Sequence, residues 1–321
     1  MKFARYIMVM ALICCGFSCG NEDAPLAPNE TACSENNQLS LINGEATSDF
    51  KAVSRIVIRE QSQSDSTKFS VKICSGTALA HNTFLTAFHC IPGSRLAGNV
   101  YHVPETEVDL EWTVAQQTSL LTNNRKALKI VLGEEPDVTF TDDGRAIIET
   151  ESVFKDIAVL IFPNNTFSEF LPVGDRDPHA CEFVDLVGFG ETAIPAIAGP
   201  GSKSIKRTGK NQLPLIPSNL VLQSGSILVS GWAQENNSQN LTLASKGDSG
   251  GPMILGGAVV GLVSMGGLTN ELSQNTQLNN HLSGDALNFY ASLKTSNFVN
   301  LMKDVQEEGG SFQILELPLV N

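Results

Sequence analysis

Positive charge is scarce in this sequence. Its 321 residues carry 21 Lys and Arg against 34 Asp and Glu, a formal net charge of -13. That balance excludes a general affinity for nucleic-acid phosphates or an anionic membrane surface, and it favours solubility. Apolar runs long enough to cross a bilayer are missing as well. The run from Tyr6 to Phe17 is too short to span one. There is no internal repeat and no heptad pattern. Asp137, Asp142 and Asp143 are acidic, but their spacing does not fit a calcium loop, and a solvated loop is the better reading.

What is present begins with a targeting signal. Lys2 and Arg5 precede the Tyr6–Phe17 run, which suits the apolar region of a signal peptide. "GFSC" then resembles a bacterial lipobox with Cys19 as the acylated residue, although Gly16 stands where such boxes usually have Leu. Simple cleavage near Ser18 to Gly20 with free secretion is the alternative. Residues 1–20 are thus expected to be a signal, and 21–40 a tether and pro-segment of polar and proline-containing sequence. The destination is an outer-membrane lipoprotein, or a periplasmic or extracellular protein. Export means an oxidising compartment. Of seven cysteines, Cys14, Cys15 and Cys19 fall in the targeting segment, leaving Cys33, Cys74, Cys90 and Cys181 with three possible pairings.

The body reads as short strands and turns. "SVKICSGTALA" and "TFLTAF" form a plausible hairpin about His81-Asn82, and "DIAVLIF", "FVDLVGFG" and "AVVGLVSM" read as further strands. Many short strands without helical periods between them predict an all-β sandwich or barrel. One helix is expected near the end, where Phe298, Leu301, Met302 and Val305 make an apolar stripe with Thr295 or Ser296 as N-cap. Residues 95–150 and 198–214 read as surface insertions, the latter with a local basic cluster.

In "SKGDSGGPM", residues 245–253, the Ser249 hydroxyl lies among three glycines. A nucleophilic serine needs a tight, exposed turn whose glycines allow close approach and whose N–H groups can face an oxyanion. It also needs a base. Only five histidines exist, and His89 ends the apolar stretch "LTAFHC". Asp156 opens "DIAVLIF", where a buried carboxylate requires a donor such as an imidazole N–H.

The order His89, Asp156, Ser249 is similar to that of the trypsin/chymotrypsin-like serine proteases. "LINGEATS" at 41–48 resembles the mature start of that family. "CSGTALAHNTFLTAFHC", "DIAVL", "VGFG", "GDSGGP", "VGLVSMG" and "NFYASLKTSNFVNLM" resemble its later segments in order. The resemblance runs from 41 to about 305. It implies two six-stranded antiparallel β-barrels, a C-terminal helix and a protease domain over 41–306, with 307–321 as a tail. It implies that Ser249 attacks the peptide carbonyl, that His89 moves the proton, that Asp156 orients the imidazole, and that no metal and no organic cofactor is needed. The N–H groups of Gly247 and Ser249 would form the oxyanion hole, worth roughly 3–4 kcal/mol per donor. It implies a Cys74–Cys90 bridge, which leaves Cys33 for Cys181.

The same resemblance places Leu243 at the floor of the specificity pocket, Gly266 on an open wall and Asn288 on a wall where Asn narrows the pocket. With no acid at the floor, Arg and Lys substrates meet no counter-charge. A small to medium uncharged residue is expected before the scissile bond. Met265 stands in place of the family's Trp. Activation is expected by cutting between Ser40 and Leu41, so that the new ammonium pairs with Asp248. No Lys or Arg lies between Asn21 and Ser40, so a trypsin-like activator cannot make that cut. The partner is a protein or peptide substrate, with membrane anchoring through lipid on Cys19. A pseudoprotease that binds a partner through its cleft is the alternative to an active endopeptidase.

Overall fold

The computed structural model describes residues 44–61, 69–91, 100–102, 110–115, 127–136, 138–140, 146–148, 150–190, 205–213, 226–231, 244–268 and 286–318. All of them belong to the unit Cys33–Asn321. Cys19, Cys33, Leu41 and Leu243 lie outside these residues, as do Asp137, Asp142 and Asp143.

Glycine, proline and polar turns cut the chain into short extended pieces. Those described are β1 (Glu45–Ala46), β2 (Val53–Gln61), β3 (Phe69–Ala78), β4 (Thr83–Thr86), β5 (Val100–His102), β6 (Leu110–Ala115), β7 (Lys129–Leu132), β8 (Val138–Phe140) and β9 (Ala146–Ile148) in the first half. β10 (Ala158–Ile161), β11 (Val173–Gly174), β12 (Phe183–Gly188), β13 (Arg207–Gln212), β14 (Ser226–Gly231), β15 (Pro252–Leu255), β16 (Ala258–Leu268), β17 (Ala286–Ser292) and β18 (Ile314–Leu315) follow.

Two large sheets result. The first has the order β5-β7-β10-β4-β3-β2-β6. β10 and β4 lie at its centre, and every residue of both is buried, as their unbroken runs of apolar and Thr residues require. Phe84, Phe162 and Phe167 close the core on one side. Phe84 stacks on Phe167 at 5.4 Å, and Phe162 meets Phe167 edge-on at 5.3 Å. The second sheet has the order β1-β13-β12-β15-β16-β11-β18, with β17 on β16 and β14 on β17.

Among the described residues the all-β expectation with a single C-terminal helix holds, in two large sheets of seven and nine strands that are not closed into barrels. The second sheet contains six strands from β12 to β17, and β1, β11 and β18 extend it at its edges. The first sheet has seven strands, and no pairing of β5 with β6 closes it among the described residues. The helix α1 (Ser296–Glu307) is capped by Thr295, whose Oγ1 accepts the N–H of Phe298 at 3.2 Å. Phe298, Leu301, Met302 and Val305 are buried against the first core.

The supposed insertions are partly structural. β7 lies within 95–150, and Ile130, Val131 and Leu132 are buried in the first core. β13 lies within 198–214, and Lys206 beside it is buried. A short apolar core strand set in polar flanks has too little periodicity to stand out, and a lysine can bury its stem when carbonyls take its ammonium.

Candidate active site

Two turns bring His89 and Asp156 together. β4 ends at Thr86, and residues Phe88–Cys90 form a single 3-10 turn carrying His89. A second 3-10 segment, Thr150–Lys155, delivers Asp156 at the mouth of β10. β4 and β10 are hydrogen-bonded neighbours, so the two turns leave the sheet side by side. Asp156 is fully buried. Its Oδ1 accepts the backbone N–H of His89 at 2.8 Å, and its Oδ2 accepts Nδ1 of His89 at 2.8 Å. A third donor is the hydroxyl of Ser264 on β16, 2.6 Å from Oδ2. A hydrogen on Nδ1 places the ring's lone pair on Nε2, the arrangement a base requires.

The loop 245–251 links both sheets. Gly247 has φ 103 and Gly250 has φ 78, conformations that favour glycine. Gly250 also lies against the backbone of β3, where a methyl would come within 2.5 Å of the Ser75 carbonyl. The carbonyl of Ser249 accepts the N–H of Ser75 at 2.8 Å, and the N–H of Gly250 donates to Val263 at 2.7 Å. The Ser75 hydroxyl donates to the Gly247 carbonyl at 2.9 Å and accepts the N–H of Phe189 at 3.0 Å. Cys90 Sγ lies 3.8 Å from the Ser249 carbonyl and 4.0 Å from His89 Nε2. Ser249 is therefore brought to the same few ångströms as the imidazole. It is half-buried. No acceptor among the described residues takes the N–H of Gly247 or of Ser249.

Asp248 is the second buried carboxylate. Its Oδ1 accepts the N–H of Gly190 at 2.7 Å, and its Oδ2 accepts that of Ser245 at 2.8 Å. Burial pushes its pKa up to about 6, against the pull of those two donors and of Arg207. β1 pairs with β13 nearby, and Lys206 Nζ donates to the carbonyls of Asp49 and Phe50 at 3.0 Å each. The chain just after the expected cut is thus pinned beside the strands that enclose Asp248.

Of the residues expected to line the specificity pocket, Gly266 and Asn288 are among those described. Gly266 is exposed and lies opposite Asn288 in the β16–β17 register. The Asn288 side chain is buried, and its amide pairs with Ala244 on both sides. Oδ1 accepts the Ala244 N–H at 2.5 Å, and Nδ2 donates to the Ala244 carbonyl at 3.1 Å. Met265 packs on the first core.

Cys74 and Cys90 are joined, with their Cα atoms 6.3 Å apart. Cys181 is also disulfide-bonded. The sulfurs of Cys74 and Cys90 lie with His89 within 4.8 Å, a cluster that resembles a ligand set. Both sulfurs are committed to the disulfide, so neither is the thiolate a metal would need. Sequence inspection missed Ser264 and Ser75, each a strand hydroxyl whose partner is over a hundred positions away.

A family model described as Trypsin matches residues 55–280. Among curated proteins, none matches the chain.

Asp248 gives a pH dependence. In an unfolded chain an aspartate titrates near 4, about two units lower than in this fold. Its contribution to stability is complete below about 4 and is lost as pH rises through about 6. For the chain uncut before Leu41, Asp248→Asn should therefore gain thermal stability relative to wild type between pH 4.5 and pH 7. An equal difference in melting temperature at the two pH values would contradict this.

Proposed function

The chain belongs to the trypsin family, and on that premise we propose that it is a serine endopeptidase working through an acyl-enzyme. The observation that carries the proposal is the buried Asp156 held on His89 Nδ1 at 2.8 Å, with the Ser249 loop fastened beside it. Ser249 attacks the peptide carbonyl, His89 takes its proton at Nε2 and returns it to the leaving amine, and Asp156 stabilises the imidazolium. The N–H groups of Gly247 and Ser249 hold the developing oxyanion. The alternative, a pseudoprotease that binds a partner, has no specific observation in its favour, whereas the Asp156–His89 pair supports the active reading.

The Asn288 amide supports a preference for a small uncharged residue before the scissile bond. It bridges β17 to the segment after Leu243 and occupies space that a glycine would leave open. Its polar atoms are engaged with Ala244 and do not offer a counter-charge. We further propose export with Cys19 as a lipid anchor, a Cys33–Cys181 bridge, and synthesis as a zymogen cut before Leu41. The new ammonium would then neutralise Asp248. N-terminal sequencing of the active form should begin at Leu41, and a fully active chain continuous through residues 30–40 would refute the scheme.

A matched peptide panel tests the central reading. The enzyme should cleave after a small apolar residue at least about tenfold faster than after Arg. Asn288→Gly should widen the range to larger residues. Ser249→Ala should leave the fold intact and remove nearly all turnover, with only the residue of binding and oxyanion stabilisation left. Retained turnover in that variant, or a tenfold preference for Arg in the wild type, would overturn the corresponding assignment.

A further inference from the structure

Beyond α1 the chain returns across the molecule instead of leaving its surface. Asn82 Nδ2 donates to the Gly309 carbonyl at 3.0 Å, and the Ser311 N–H donates to Thr83 Oγ1 at 2.8 Å. Both anchors sit at the start of β4, in the first sheet. The tail then lies along β11 as the parallel edge strand β18 of the second sheet. Val173 N–H donates to the Gln313 carbonyl at 2.8 Å, and Asp175 N–H to that of Leu315 at 3.0 Å.

The contacts have the form of peptide recognition by strand addition, in which a main-chain ladder holds the segment and one or two pockets read side chains. Ile314, Leu315 and Glu316 are exposed, so their side chains are not read. Leu317 is read. It is 6% exposed and belongs to the second core. Its cavity exists because residue 174 is glycine: a methyl there would stand 2.9 Å from Leu317 Cδ1 and 2.7 Å from Val260 Cγ1. Two charged side chains then grip the backbone around it. Asp175 Oδ1 accepts the Leu317 N–H at 2.8 Å, and Arg176 Nη2 donates to the Pro318 carbonyl at 2.7 Å. Arg176 is itself oriented by Glu182 through bonds of 2.7 and 2.8 Å.

The two ends of this tail touch the two strands that matter for the site. β4 runs from Thr83 directly into the turn bearing His89. β11 pairs with β16 at Val259, and β16 carries Ser264 to the Asp156 carboxylate. We propose that β11, Asp175, Arg176 and the cavity beside Gly174 form a peptide-binding site that the chain fills with its own residues 311–318, and that filling it braces β4 against β16 and so positions His89. The positioning half rests on the peptidase reading; the binding half does not.

The test uses the full chain with Leu317→Asp, which ejects the tail, and a labelled peptide of residues 310–321. By fluorescence anisotropy the peptide should bind the variant and not the wild type, whose site is filled. The same peptide carrying Asp in place of Leu317 should not bind. In the variant kcat should fall about tenfold with KM little changed, and saturating peptide should restore it. If Leu317→Asp does not fold, Leu317→Ser empties the cavity without adding charge and takes its place. A folded variant that fails to bind the peptide overturns the binding site. Binding without any effect on kcat overturns the positioning role. A wild type with no peptidase activity refutes the proposed function and leaves the binding result to be read alone.

Discussion

A carboxylate with no exposed surface must find donors inside the protein, because an unpaired buried charge costs several kcal/mol. Asp156 finds three. Two come from His89, one of them a backbone N–H, and the third is Ser264 on β16. The first two belong to the first sheet and the third to the second, so satisfying one charge fastens the two sheets at the cleft. The same bonds orient the imidazole. The backbone N–H of His89 fixes where the turn sits, and the Nδ1 contact fixes how the ring is turned. The core behind β4 and β10 supplies the rigidity, since neither strand has an exposed residue with which to shift.

Asp248 makes an instructive contrast. It is as buried as Asp156 but has two backbone donors and lies only within the field of Arg207, and its pKa rises to about 6. One carboxylate has three donors, a side-chain hydroxyl and an imidazole among them, and the other relies on two backbone N–H groups. Lys206, beside Arg207 on β13, holds the carbonyls of Asp49 and Phe50. Ser75 does the corresponding work from the other side, tying Gly247 to β3 and to Phe189 by a single hydroxyl.

Much of this site was legible in the sequence because its parts are local. The glycines around Ser249 announce a turn, and the apolar strands before His89 and after Asp156 announce where those residues sit. Ser264 and Ser75 were not legible, since their roles arise from contacts 108 and 172 positions apart. A serine in or after an apolar strand carries no local mark of such a contact. β7 was hidden for a different reason: four residues among polar neighbours give no readable period. Residues 307–321 looked like a tail because exposed Ile314 and Leu315 have no alternation to suggest a strand. Their pairing comes from the main chain, which the side-chain pattern does not report.

The account turns on a Ser249 hydroxyl made nucleophilic by an imidazole that Asp156 holds. Treating the mature protein with a fluorophosphonate and locating the adduct by mass spectrometry measures this directly. The account predicts one adduct, on Ser249, that forms slowly or not at all when His89 is replaced by alanine. An absence of adduct on the folded protein, or an adduct that is indifferent to His89, would contradict it.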